Sequence, residues 1–209
     1  MANSREDALV ESYDNMKIGI LALQGDYEAH ARVLKKLDVE YSYVRTPADL
    51  NGVHGMILPG GESSTLLKLL QQNGLFDALY ERLKKGMPFF GTCAGAILLA
   101  KTVISPAQIS LNAVDVTILR NAYGRQLASQ MATGHCILNT TPLPLFFIRA
   151  PKFIDLAPDI KIIATYQGDP VCIQQHACLL ATFHPELTQD ATLHLYFLEL
   201  VRKTAIPHF

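Results

Sequence analysis

The pentapeptide Gly91-Thr92-Cys93-Ala94-Gly95 sits between an apolar run, Met87 to Phe90, and a helix-forming run that begins at Ala96. A strand that reverses sharply into a helix needs small residues on both sides of the apex. The apex side chain is then left above the sheet, as in a nucleophile elbow. A cysteine at that apex stands at a helix N-terminus, where the dipole and free N–H groups favour the reactive thiolate. The bland reading is a structural cysteine in a glycine-containing turn. Other parts of the chain decide between the two.

The elbow presupposes strands alternating with helices, and the flanking sequence supplies them. Lys17 to Gln24 is a near-continuous apolar run, as expected of a strand covered on both faces. Asp26 is placed to cap a helix reaching about Leu37, with Tyr27, Ala31, Leu34 and Leu37 as its apolar stripe. Strands are expected at Tyr41 to Arg45, Gly55 to Leu58 and Met87 to Phe90. Helices are expected from Ser63 to Gln72, from Leu75 to Lys85, and from the cysteine turn to about Lys101. This β-α-β-α order implies an α/β fold with a mostly parallel central sheet and helices on both faces. Beyond Ile104 the segments read as strands: Val114 to Leu119, Cys136 to Leu138, Leu145 to Ile148, Lys161 to Tyr166, Val171 to Gln175 and Cys178 to Phe183. A final helix is expected from Asp190 to Arg202. No repeat or linker divides the chain, so residues 16–209 are expected to form one domain. Its 209 residues, 49% hydrophobic, suffice for one sizeable core.

Composition narrows the partners. A net charge of −1 advertises neither a nucleic acid nor an anionic membrane, and no apolar run approaches the roughly 20 residues of a membrane span. Residues 1–15 are polar and acidic, without the basic start and apolar stretch of a signal peptide, and are read as a flexible tail before Met16. Cys93, Cys136, Cys172 and Cys178 contain no C-x-x-C pair and suggest no disulfide framework, which fits a reducing, cytoplasmic setting. His30, His54, His135 and His176 lack metal-ligand spacing, so no metal is expected.

Two further strings carry chemistry. In Thr182-Phe183-His184-Pro185-Glu186 an extended path would turn His184 and Glu186 to the same side. A carboxylate beside an imidazole fixes its tautomer while the other ring nitrogen takes a thiol proton, so Cys93, His184 and Glu186 make a plausible triad. Pro59-Gly60-Gly61-Glu62-Ser63-Ser64 is a second strand–glycine–helix junction. Its backbone N–H groups suit a carboxylate or an oxyanion, and no lysine follows in the spacing of a phosphate loop. Taken alone it is equally a capped helix start, with Ser63 or Ser64 as the cap.

Gly-Thr-Cys-Ala-Gly, Pro-Gly-Gly-Glu-Ser and Phe-His-Pro-Glu-Leu, in that order of use, resemble class I (triad) glutamine amidotransferases. Leu23-Gln24-Gly25, Arg120-Asn121-Ala122-Tyr123-Gly124-Arg125-Gln126 and Phe147-Ile148-Arg149-Ala150-Pro151 narrow the resemblance to the glutaminase subunits of pyridoxal 5′-phosphate synthase, over Lys17 to Lys203. The resemblance implies a flavodoxin-like three-layer domain and hydrolysis of L-glutamine to glutamate and ammonia. It implies that Cys93 is the nucleophile, His184 the base and then acid, and Glu186 its orienter. Gly61, Glu62, Ser63, Arg120, Ile148 and Arg149 match the glutamine-binding positions, and the N–H groups of Gly61 and Ala94 the oxyanion hole. Gln24 falls near the oxyanion region and the partner contact. The implied partner is a (β/α)8-barrel synthase subunit that uses the ammonia to make pyridoxal 5′-phosphate; no cofactor is implied for this chain.

The chain departs from that pattern at Ser129-Gln130-Met131 and in Val103 to Asn112, which lacks a usual glycine. Three alternatives stay open at this point. They are an amidotransferase serving another biosynthetic partner, a cysteine hydrolase of another kind on the same scaffold, and a non-catalytic docking subunit. The two arginine motifs weigh against the first, the joint presence of H-P-E and G-G-E-S against the second, and the intact triad against the third.

Overall fold

A computed structural model describes residues 16–122 and 129–205. The expected tail, residues 1–15, and Tyr123 to Gln126 of the first arginine motif lie outside the described residues.

Among the described residues, twelve strands form a nine-stranded sheet, ordered β2-β1-β3-β4-β12-β11-β10-β7-β8, and a three-stranded sheet, β5-β6-β9. The first half of the large sheet is built from β1 (Lys17–Leu21), β2 (Glu40–Val44), β3 (Gly55–Leu58), β4 (Phe89–Thr92) and β12 (Cys178–Ala181). Every pairing among these is parallel. The second half adds β11 (Asp169–Gln175), β10 (Lys161–Tyr166), β7 (Gln130–Cys136) and β8 (Leu143–Phe147), all antiparallel. The parallel half has the doubly wound order in which chain direction across the sheet reverses beside β1.

Alternation along the parallel strands divides the interior into two cores. Ile18, Ile20, Ile57, Phe90 and Leu179 point to one face, packed against α1 (Tyr27–Lys36) and α5 (Thr192–Ala205). Leu21, Met56, Leu58, Phe89 and Leu180 point to the other. There they meet α2 (Ser63–Gln72), α3 (Leu75–Lys84), α4 (Ala94–Leu99) and the small sheet of β5 (Ala100–Ile104), β6 (Val114–Leu119) and β9 (Lys152–Leu156). A strand buried on both faces has no polar side to expose, which is why these runs read as continuously apolar. The α/β class and the helices on both faces are as expected.

Local expectations fared unevenly. The helix after Cys93 stops at Leu99 rather than Lys101, because Ala100 already pairs with Val114 at the start of β5. The β-branched Thr102, Val103 and Ile104 then continue as strand, a sheet preference that won over helix extension. Helix α2 is capped by neither Ser63 nor Ser64. Glu62 stands at the N-cap, and its carboxylate accepts from the N–H groups of Ser64 and Thr65. Asp26 does precede α1, but its side chain makes no capping bond.

Candidate active site

Cys93 joins β4 to α4 with φ 47° and ψ −101°. A non-glycine residue held there costs about 1–3 kcal/mol and persists only where its surroundings over-determine it. They do so here. The Cys93 N–H donates to Ala181 O on β12 at 2.8 Å, which fixes the turn from outside. A Cβ on Gly95 would overlap the carbonyl oxygen of Leu58 on β3, and one on Gly91 would meet the Gly95 backbone. The two flanking glycines are therefore a steric condition for the helix to start so close to the sheet. The thiol ends up nearly buried, its sulfur 3.8 Å from the Ile148 carbonyl, to which the S–H donates.

His184 lies just beyond β12, at the start of a 3-10 turn spanning Pro185–Leu187. Its Nδ1 is 2.8 Å from Glu186 Oε1, both side chains being buried. The pairing expected from the sequence is present, but a tight turn brings it about rather than an extended path. Gly60 lies flat against the imidazole, where any Cβ would collide with the ring, and the His184 N–H donates to Phe146 O at 2.8 Å. The second ring nitrogen, Nε2, is buried without a well-formed hydrogen bond, yet near enough to couple to Cys93. Burial by itself would lower the imidazole pKa. Hydrogen bonding and charge from Cys93 and Glu186 outweigh it and hold the value up at about 10. The ring is thus poised to carry a proton beside the sulfur.

A cavity of about 500 Å3 opens over this pair, at the C-terminal ends of the parallel strands. Cys93 and His184 line it together with all six residues expected to bind substrate: Gly61, Glu62, Ser63, Arg120, Ile148 and Arg149. Arg120 is held by Glu62, at 3.3 Å, and by Ser64 Oγ, at 2.7 Å. The Glu62 carboxyl is disfavoured as an anion by burial, but bonds from Thr65 and Ser64 and the Arg120 charge leave its pKa below the usual value. The cavity lining therefore includes a carboxylate and guanidinium groups together, matched to a ligand carrying both charges. Ala94 opens α4 immediately after Cys93. Gln24 does not line the cavity; its Oε1 accepts from the Glu62 N–H at 2.9 Å and braces the glycine loop.

Sequence reasoning missed Asp26, Ile97 and Asn121, which also line the cavity. It missed a buried group behind Glu186 as well. His30 Nδ1 lies 3.0 Å from His194 Nε2, and His30 Nε2 lies 3.2 Å from Thr92 Oγ1 and 3.5 Å from Glu186 Oε2. The only signal was that both histidines fall on the buried stripes of α1 and α5.

Burial drives the pKa of both inner histidines down: His194 to about 3, and His30, with help from His194 and His184, well below the usual value. The unfolded chain binds these protons near pH 6.5 and the native state does not, so stability is complete above that pH and falls as acid is added. The expected loss is about 1.4 kcal/mol per pH unit per histidine. Urea unfolding at about pH 7, 6 and 5 measures it, and a flat profile would refute neutral burial. His184, held up at about 10 in the fold, acts the other way: its contribution is complete only below the unfolded value near 6.5, so it offsets part of the loss between pH 7 and 6 and adds no slope nearer pH 5.

An elbow cysteine, a buried imidazole–carboxylate pair and a doubly charged cavity on this sheet define a class I glutamine amidotransferase. A crystal structure of a glutamine amidotransferase superposes with a TM-score of 0.83 at 41% identity, over 88% of this chain and 98% of the other. The structure of PurLQS from Thermotoga maritima, at 12% identity and a TM-score of 0.69 over 92% of this chain and 100% of the other, shares the fold. The family model of SNO glutamine amidotransferases matches residues 20–203, and the chain belongs to that family. It is 47% identical over 190 residues to the pyridoxal 5′-phosphate synthase subunit PdxT of Koribacter versatilis, covering 90% of this chain and 96% of that protein. The PdxT of Thermosipho africanus is 43% identical over 188 residues, covering 90% of this chain and all 100% of its own length.

Proposed function

We propose that this chain is the glutaminase subunit of a pyridoxal 5′-phosphate synthase, releasing ammonia from L-glutamine for vitamin B6 biosynthesis. The observation that carries this reading is the cavity that joins Cys93 and His184 to Glu62, Arg120 and Arg149. Arg120 and Arg149 take the α-carboxylate and Glu62 the α-ammonium, with Ser63 and Ile148 completing the walls. This leaves the side-chain amide over the sulfur. The Cys93 thiolate attacks the amide carbon, and the N–H groups of Gly61 and Ala94 stabilise the oxyanion. His184, charged by the thiol proton and held by Glu186, protonates the leaving nitrogen, and the C–N bond breaks to give ammonia and a γ-glutamyl thioester. The imidazole then takes a proton from water, which attacks the thioester and frees glutamate and the thiolate.

In this reading residues 16–209 act as one amidotransferase domain in the cytoplasm, with residues 1–15 as a tail. The partner is a (β/α)8-barrel synthase subunit, and Gln24 lies where its docking reaches the glycine loop. The assay is glutamate release, and pyridoxal 5′-phosphate formation from glutamine, with that partner present. Glutamate without pyridoxal phosphate would point to another ammonia acceptor. Neither product would leave the chain a docking subunit.

Arg120→Ala is expected to raise KM for glutamine about 10- to 100-fold, the worth of a charge-assisted hydrogen bond, with little change in kcat. A fall in kcat at constant KM would place Arg120 with the chemistry instead of with ground-state binding. Steady-state glutamate release against glutamine concentration separates the two.

A further inference from the structure

Glu186 has two carboxylate oxygens and only one is accounted for. Oε1 holds His184, whereas Oε2 is buried with no hydrogen-bond partner of good geometry among the described residues. A buried, unpartnered carboxylate oxygen is expensive, so a donor within reach matters. That donor is His30 on α1, 3.5 Å away and fully buried. We infer that His30 is a positioning residue of the triad, its Nε2–H serving as the second donor on Glu186 and keeping Oε1 turned to His184. The inference rests on the proposed triad.

The surroundings of His30 fix which nitrogen carries its proton. Burial keeps the ring neutral, and Phe90 stands edge-on to it and to His194, with centroids 6.1 and 5.5 Å away, offering no counter-charge. A neutral imidazole has one N–H. With that proton on Nδ1, the Nε2 lone pair would face the carboxylate of Glu186. With it on Nε2, the N–H is shared between Thr92 Oγ1 and Glu186 Oε2, and Nδ1 accepts from His194 Nε2 at 3.0 Å. His194 Nδ1 is then the orphan, and it is indeed buried without a partner. An orphaned acceptor is the tolerable kind, because unpaired buried donors are the rarer and costlier defect. The groups facing His30 are thus Thr92 at the end of β4, Glu186 on the 3-10 turn with His184 beyond it, and His194 on α5. Two helices far apart in sequence but packed on one face of the sheet brace one carboxylate, and Thr92, the residue preceding Cys93, ties the brace to the elbow.

The readout is the pH titration of the His184 side chain by 15N NMR, which reports the imidazolium that Glu186 supports and needs no glutamine. His30→Leu should move the His184 midpoint down by about one pH unit, since a carboxylate free to turn supports the imidazolium less. In the glutaminase assay with the synthase partner, the same variant should lose about 10-fold in kcat with KM unchanged, a part of what a positioned general base contributes. His30→Gln, which keeps a donor, should recover most of both. An unmoved midpoint in folded His30→Leu would overturn the role of His30 while leaving the triad standing. An ordinary histidine midpoint for His184 in the unsubstituted chain would overturn both. Should His30→Leu fail to fold, 15N NMR of the histidine side chains in the unsubstituted chain decides: a neutral His30 protonated on Nε2 supports the assignment, and a proton on Nδ1 refutes it.

Discussion

Cys93→Ala is expected to abolish glutamine hydrolysis, a loss of about 10^6-fold in kcat, the scale seen when a triad nucleophile is removed. No second nucleophile stands ready among the described residues of the cavity. The Ser63 hydroxyl, the nearest candidate by type, is nearly buried and engaged with Gln108 Oε1 at 3.1 Å. The remaining cysteines lie in the interior, where burial pushes the Cys178 thiol up to about 12 and holds the Cys172 thiol well above its usual value. Alanine keeps a Cβ at the strained apex, so the variant should fold as the unsubstituted chain does. Glutamate release with the synthase partner present is the measurement, with circular dichroism as the folding control. Residual turnover within about 10-fold of the starting value would sink the covalent mechanism.

Gly95→Ala should act on stability with comparable force, lowering the unfolding free energy by about 3 kcal/mol or more. The new methyl group would overlap the carbonyl oxygen of Leu58, a backbone atom of a central strand. That strand cannot give way, because β3 pairs with β1 on one side and β4 on the other. Relief would require α4 to move off the sheet, carrying Cys93 with it. Gly52→Ala is the informative control. Gly52 has positive φ, 72°, which Gly95 does not, and nothing lies within 4 Å of its added Cβ. Its cost should be only the intrinsic left-handed penalty of about 1 kcal/mol. A Gly95→Ala loss in urea unfolding no larger than that of Gly52→Ala would show that the contact with Leu58 is relieved cheaply and is not what the Gly95 position demands.

Much of the parallel half was legible because its signals are local. A strand buried on both faces announces itself by unbroken apolar character, and β3 and α2 appear with the expected bounds. The antiparallel half was less so. Gln130 to Cys136 forms β7, but Gln130, Thr133, Gly134 and His135 leave little of the apolar pattern that marks a strand. Lys152–Leu156 became β9 only because β6 offers it an antiparallel edge in the small sheet. Strand preference depends on the neighbour a segment finds, which a single stretch of sequence does not contain.

The same division runs through the site. Cys93, His184, Glu186 and the Gly60-Gly61-Glu62 loop were readable because each belongs to a short string whose residue types are dictated by local geometry. Small residues must flank an elbow, and adjacent glycines let a strand turn its N–H groups outward at a helix start. By itself, then, the sequence determined an α/β frame, the elbow and the residues brought to its mouth. Tertiary structure alone decided that Glu62 caps α2 while pairing with Arg120, and that Gly60 lies flat on His184. It also decided that His30 and His194, 164 residues apart, meet behind Glu186. The physical reason is that periodicity reports which face of a helix is buried. It carries no information about which buried polar atoms face one another, and in a low-dielectric interior those encounters set protonation and position.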